Sequence, residues 1–208
     1  GGTVVLWSTD RTRFDGVISA RGAGEGAGGA VETSSRGALG LSGSVDVSAE
    51  SGEGGLWLLD PTNLTIRDSE GDPDISGGTN DPEEDFVDVN SINTALNSDA
   101  DVTLEASGSI TVQDQIFNGA DNPSTPTLTF LAGTAINVNA DISALVSNDD
   151  AQANNLSLVF GSSTLTPLTT LSADISTNGG NVTFYGDARE TGAIEGRPEM
   201  RGVGKFLA

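Results

Sequence analysis

Asp68, Glu70, Asp72 and Asp74 stand at alternating positions at the head of the most acidic stretch of this chain. Calcium takes six to eight oxygen ligands, so these four carboxylates are its candidate ligands. The run follows no EF-hand pattern: its glycine, Gly71, falls at the fourth position and the closing glutamate is missing. No GGxGxD nonapeptide of the calcium-roll type occurs. Calcium is therefore the one cofactor these residues suggest.

A second pair of carboxylates, Asp141 in NADIS and Asp174 in SADIS, occupies similar local contexts. Stacked on neighbouring turns of a repeat, they could form the acid and base or nucleophile of a glycosidase. The competing reading is that each aspartate caps a corner of the chain through its side chain, and it is the better supported. A polysaccharide lyase would also need an Arg or Lys beside clustered carboxylates. Every Lys and Arg lies outside the acidic stretch from Asp68 to Asp187. Trp7 with Arg11 and Arg13 offers a possible surface contact: an indole for stacking on a sugar and two cations in the turn STDRTR. Arg36, about one repeat further on, could extend them into a short basic ridge.

Other chemistries are excluded by residue type. The chain has no histidine, which removes the commonest general base, His-containing triads and His-ligated zinc. It has no cysteine, so disulfides and thiolate metal sites are absent. No G-x-S-x-G elbow occurs. The glycine-rich GAGEGAGG at 22–29 lacks the Lys-Ser/Thr ending of a phosphate loop. The expectation is a protein that is not an enzyme.

The elements that would carry these residues are short strands. Gly1-Gly2, Gly28-Gly29 and Gly54-Gly55 each precede an apolar-polar run: Thr3–Trp7, Ala30–Thr33 and Leu56–Leu59. Val102–Leu104, Leu128–Phe130, Leu156–Leu158 and Val182–Phe184 continue the series 26 to 28 residues apart. A second series runs in step: Gly16-Val17-Ile18 with Gly43-Ser44-Val45, and Ile110-Thr111-Val112 with Ile136-Asn137-Val138. Period two within each run puts Val102, Leu104, Leu128, Phe130, Leu158, Val182 and Phe184 on a dry face. Trp57 shares the inward parity and Trp7 the outward one. No stretch of ten or more residues shows a convincing helical period.

A strand-only repeat near 26 residues predicts an all-β, right-handed parallel β-helix of about seven coils, starting near 3, 30, 56, 102, 128, 156 and 182. At ~4.8 Å per coil the rod is roughly 30–35 Å long. Gly, Asn, Asp and Ser supply the corners, where left-handed backbone is tolerated. The register breaks between Leu59 and Val102, so the repeat domain, residues 1–186, holds an acidic inserted loop near 68–90. Residues 187–208 lose the alternation and read as a non-repeat tail. The alternative is a β-sandwich, which has no reason to keep such a register.

The net charge is −21, from 30 acidic and 9 basic residues. Between Asp68 and Asp187 there are 19 acids and no base. Such a surface repels phosphate backbones and anionic lipid, so nucleic acid is excluded as a partner. The acidity reads as a solvated face that keeps strand edges apart, as adaptation to salt, or as the calcium loop. No apolar run is long enough for a membrane-spanning helix. The chain opens in mid-repeat at Gly1 without a secretory signal, and reads as a piece of something longer.

GGTVVLWSTDRTRFDGVISARG, GGAVETSS, LSGSVDVSAESGEGGLWLLDPTNLTI, SINTALNSDADVTLEASGSITVQDQI and LTFLAGTAINVNADIS together resemble the repeat region of filamentous-haemagglutinin-type bacterial adhesins, exported by two-partner secretion. The resemblance covers most of residues 1–186, most specifically Asp60–Ile66 and Ser91–Ile116. It implies a right-handed parallel β-helix, secreted to the bacterial cell surface, with adhesive or structural roles. The implied partners are a host or neighbouring-cell surface, through glycan or protein, and an outer-membrane secretion partner for the parent chain. It carries over no catalytic residue. The amino-terminal secretion domain of that family is not recognisable here.

Overall fold

Alternation of apolar and polar residues builds short strands, and the chain lays them side by side in parallel. The computed structural model describes residues 1–69, 85–119, 125–144, 155–201 and 205–207. The fold is all-β with parallel sheets and, among the described residues, one short helix. The first sheet runs Thr3–Ser8, Ala30–Ser35, Leu56–Asp60, Asp101–Ala106, Thr127–Ala132, Ser157–Phe160 and Ile175–Tyr185. The second runs Arg11–Phe14, Ala38–Leu41, Phe86–Asp88, Leu64–Arg67, Ile110–Val112, Ala135–Val138, Leu168–Leu171, Ala188–Glu190 and Phe206–Leu207. A third row pairs Val17–Ser19 with Ser44–Asp46, and Ile116–Asn118 with Ile142–Ala144 and the start of Ile175–Tyr185. The paired Gly-Gly and strand series read from the sequence lie in this register: Val4↔Val31↔Trp57↔Val102↔Leu128.

The inward parity is buried as the alternation predicts. Trp57, Val102, Leu104, Leu128, Phe130, Leu158 and Val182 have no exposed surface and Phe184 almost none. The buried indole of Trp57 donates its N–H to Thr33 Oγ1 at 2.9 Å, so its polar edge is satisfied.

One register assignment needs correction. The sequence placed Leu156–Leu158 beneath Leu128–Phe130, but the strand is Ser157–Phe160, with Leu158 on Leu128 and Phe160 on Phe130. Leu158 is buried as expected, one pair away from its expected partner. The gain is aromatic: Phe130, Phe160 and Phe184 stack at 5.0 and 4.9 Å, with ring planes within 9°. Neighbouring strands stand ~4.8 Å apart, so parallel pairing itself holds identical side chains at stacking distance.

The inserted stretch differs from an open loop at its end. Phe86–Asp88 is a buried strand wedged between Ala38–Leu41 and Leu64–Arg67. Val89–Asn97 then forms a helix, with Asp88 at its N-cap accepting from the Asn90 N–H at 2.8 Å. Val89, Ile92, Ala95 and Leu96 face the core. The helix packs against Ser44–Asp46 on one side and Ile116–Asn118 on the other, the place of a strand in the third row. Asn93 Oδ1 accepts from the Phe117 N–H at 2.9 Å, and Asn97 Oδ1 from Gly119 N–H at 2.7 Å. Two asparagines thus meet edge N–H groups that a neighbouring strand would otherwise pair.

In the tail, set apart in the sequence by its loss of alternation, the described strands Ala188–Glu190, Ile194–Arg201 and Phe206–Leu207 pair in parallel with what precedes them. Ala188 lies on Thr169, Val182 on Pro198, and Ala188 again on Phe206. The Gly-Gly pairs also have a different cause from the one expected. Positive φ among the glycines occurs at Gly24, Gly161, Gly179 and Gly186, not at the pairs. A Cβ on Gly29 would stand 2.1 Å from the Gly2 carbonyl oxygen, and one on Gly55 2.0 Å from that of Gly29. These glycines form a column where backbone rests on backbone.

Two stability outcomes follow. Phe160→Ala removes the middle ring of the stack and costs about 3–5 kcal/mol by urea unfolding; a loss under ~1 kcal/mol would show that the stack is not a packing centre. Gly29→Ala forces a methyl group into the column and lowers stability by about 1–3 kcal/mol, although it adds only one carbon.

Candidate functional site

The outward parity of the first sheet gathers the residues that can meet a partner. Trp7 pairs with Ser34 and Ser34 with Asp60. Leu59 pairs with Leu104, and Asp60 and Glu105, the next residue on each strand, lie near enough for the charge of one to act on the other. Glu105 is followed by Leu131. Glu32 lies two residues back from Ser34 on the same face, between Val5 and Leu58. Trp7 is 52% exposed and Trp57 fully buried, so the parity reading of both indoles holds.

The carboxylates on this face are perturbed. Burial, and secondarily the charge of Glu32, raises the Asp60 pKa above its usual 3.8. Burial, and secondarily the charge of Asp60, raises the Glu105 pKa above its usual 4.5. Parallel in-register strands put like charges side by side, which costs free energy unless a cation intervenes. Ser34, between Trp7 and Asp60, is fully buried, and its hydroxyl has no hydrogen-bond partner among the described residues.

Around the corner lies an open cleft of about 560 Å³, lined by Asp10, Arg11, Gly37, Ala38, Thr62, Asn63 and Asp85. Its floor is three successive corners of the chain. Asp85 holds two of them: its Oδ1 accepts from the Leu39 N–H at 2.7 Å and its Oδ2 from the Asn63 N–H at 3.1 Å. Burial raises the Asp85 pKa, against the lowering effect of both hydrogen bonds. Arg11 and Arg13 are exposed, opposite Ala38 and Gly40. Arg36 donates its backbone N–H to Ser8 O and is set two residues back from Ala38, so the three arginines do not line up in one column.

The aspartates Asp141 and Asp174 do stack on neighbouring corners. Asp141 Oδ1 accepts the Asp174 N–H at 3.0 Å, and Asp174 Oδ1 accepts the Ala193 N–H at 2.8 Å. Both carboxylates are engaged in tying one corner to the next. The same device recurs where Asn63 Oδ1 accepts from Ser109 N–H, Asp101 Oδ1 from Thr127 N–H and Asp187 Oδ1 from Lys205 N–H.

Of the calcium candidates, Asp68 donates its backbone N–H to Asp114 Oδ2 at 2.8 Å. Glu70, Asp72 and Asp74 lie outside the described residues. Among the described residues no three acidic side chains converge as a metal site. Nor is any described helix long and apolar enough to cross a membrane.

Sequence reasoning did not single out Glu32, Ser34, Asp60, Glu105 or Asp85. Asp60 and Glu105 are 45 residues apart, and the insertion hides a pairing that the 26-residue period would otherwise reveal. No protein-family model matches the chain, and a search of curated proteins finds no match.

The raised pKa values set the pH dependence. The folded chain holds protons on Asp60 and Glu105 that the unfolded chain has released, so their contribution to stability falls as pH rises from about 4 toward neutrality. Asp60→Asn with Glu105→Gln should raise the melting temperature at neutral pH and flatten that slope. A slope equal to the parent's would show that solvent screens this pair fully.

Proposed function

We propose that this chain is a stretch of right-handed parallel β-helix and serves as a non-enzymatic, structural or adhesive segment of a large secreted bacterial surface protein. The observation that carries the reading is the unbroken parallel ladder from Thr3–Ser8 through Ile175–Tyr185, in which each strand of the first sheet rests on the next. A chain that returns to the same sheet after each turn buries its core between successive turns and leaves length and outer surface for function. The resemblance of residues 1–186 to filamentous-haemagglutinin-type repeats points the same way, and with it to attachment at a host or neighbouring-cell surface.

A carbohydrate-active enzyme on the same scaffold is the alternative, and the adjacency of Asp141 and Asp174 is its one favourable observation. Against it, each of these carboxylates already accepts a backbone N–H from the next corner. Both are therefore fixed as structural acceptors rather than aimed at a shared substrate.

A glycan-array screen of binding and turnover, with and without calcium, separates the readings. Retention without product supports the adhesive segment, and calcium-dependent retention would assign the acidic stretch containing Asp68, Glu70, Asp72 and Asp74 a part in it. Product release overturns the non-enzymatic reading. No retention in either condition leaves the structural role, a spacer that holds another part of the parent chain away from the cell.

A further inference from the structure

We propose that the outward face around Trp7, Ser34, Asp60 and Glu105 is a docking site for an extended basic segment of a protein partner, with an apolar residue and Arg or Lys at every second position, so that they share one face of the segment. The inference deepens the adhesive reading and rests on it for its biological use, although the binding event can be tested alone.

Charge complementarity selects the occupant. Glu32, Asp60 and Glu105 share one face and have no ion-pair or hydrogen-bond partner among the described residues. Burial, and secondarily the charge of Glu32 on Asp60 and of Asp60 on Glu105, raises both pKa values, so an arriving cation relieves a cost already present in the fold. A neutral glycan offers no such relief, and a polyanion adds to the cost.

Apolar contact comes from the same surface. Val5, Trp7 and Leu56 are 59%, 52% and 42% exposed, and half-buried Leu58 lies beside Glu32 in the same register. An exposed indole accepts either an aliphatic side chain or the face of a guanidinium. The Ser34 hydroxyl, fully buried and unpartnered on this face, is an unused donor and acceptor beside Trp7.

The spacing fits an extended peptide laid across the strands. Trp7 and Glu105 are separated by three strand intervals, roughly 14 Å at ~4.8 Å each. Residues i and i+4 of an extended chain are about 13–14 Å apart. One side chain of the partner therefore reaches Trp7 while a second, four positions along, reaches Asp60 and Glu105.

The test uses the amidated hexapeptide Leu-Ser-Arg-Ser-Arg-Ser, whose leucine and arginines share one face of the extended chain, with Leu-Ser-Glu-Ser-Glu-Ser and cellohexaose as comparison probes. Binding is followed by isothermal titration and by tryptophan fluorescence, to which exposed Trp7 responds while buried Trp57 provides a constant background. The expected result is saturable binding of the basic peptide with a change in emission that Trp7→Phe abolishes. Asp60→Asn with Glu105→Gln should weaken it about tenfold, as loss of charge-assisted contacts implies. Glu25→Gln with Glu53→Gln makes the same charge change at exposed positions elsewhere and should leave affinity within about twofold. Equal weakening by both pairs, tighter binding of cellohexaose, or no binding of the basic peptide each overturns the proposal. Failure here with retention on the glycan array removes this site but leaves the adhesive reading; product release on the array removes that reading while leaving peptide binding to stand or fall alone.

Discussion

The spacing between parallel strands governs the molecule. At ~4.8 Å, each residue stands beside its in-register equivalent on the neighbouring strand, and like meets like along a column. Inside, this is favourable: Phe130, Phe160 and Phe184 stack within 5.0 Å of their neighbours, and aliphatic columns close the remaining core. At Gly29 and Gly55, each resting on the glycine carbonyl of the preceding strand, it leaves no room for a side chain at all. Outside, the same geometry sets carboxylates beside one another, as at Asp60 and Glu105, where the rule that builds the core becomes a cost.

Two devices keep the ladder intact where the sequence departs from its period. Corner aspartates and asparagines reach across to the backbone N–H of the next corner, as Asp141 does to Asp174, so bends are held without regular strand pairing. The insertion adds a strand, Phe86–Asp88, to the second sheet and a helix, Val89–Asn97, to the third row. That substitution works because the helix presents Val89, Ile92 and Leu96 to the core and two asparagine side chains to the exposed strand edge. A helix is wider than a strand, and the place made for it coincides with the one extra strand in the neighbouring sheet.

The proposed role follows from what this architecture does well. A parallel ladder commits one face of each sheet to packing and leaves the other face for contact. On that face the column from Trp7 to Glu105 is the departure: aromatic at one end, anionic at the other, with a buried hydroxyl between. Asp141 and Asp174 show the opposite case, in which two carboxylates of suggestive spacing are consumed by the backbone.

The repeat period, the inward parity and the orientations of Trp7 and Trp57 were legible in the sequence, because alternation within a strand is local. The Phe160 register was not, since one-residue-scale spacing cannot weigh an aromatic stack against a constant period. The helix was missed because its nine residues fall short of a convincing helical pattern and its core contacts come from strands on either side. The carboxylate pair was hidden for a related reason: Asp60 and Glu105 become neighbours only when the chain between them folds out of the way. The sequence by itself determined which residues point inward and how often the chain returns. Only the tertiary structure decided which outward residues stand together, because that depends on lengths of chain that the ladder does not count.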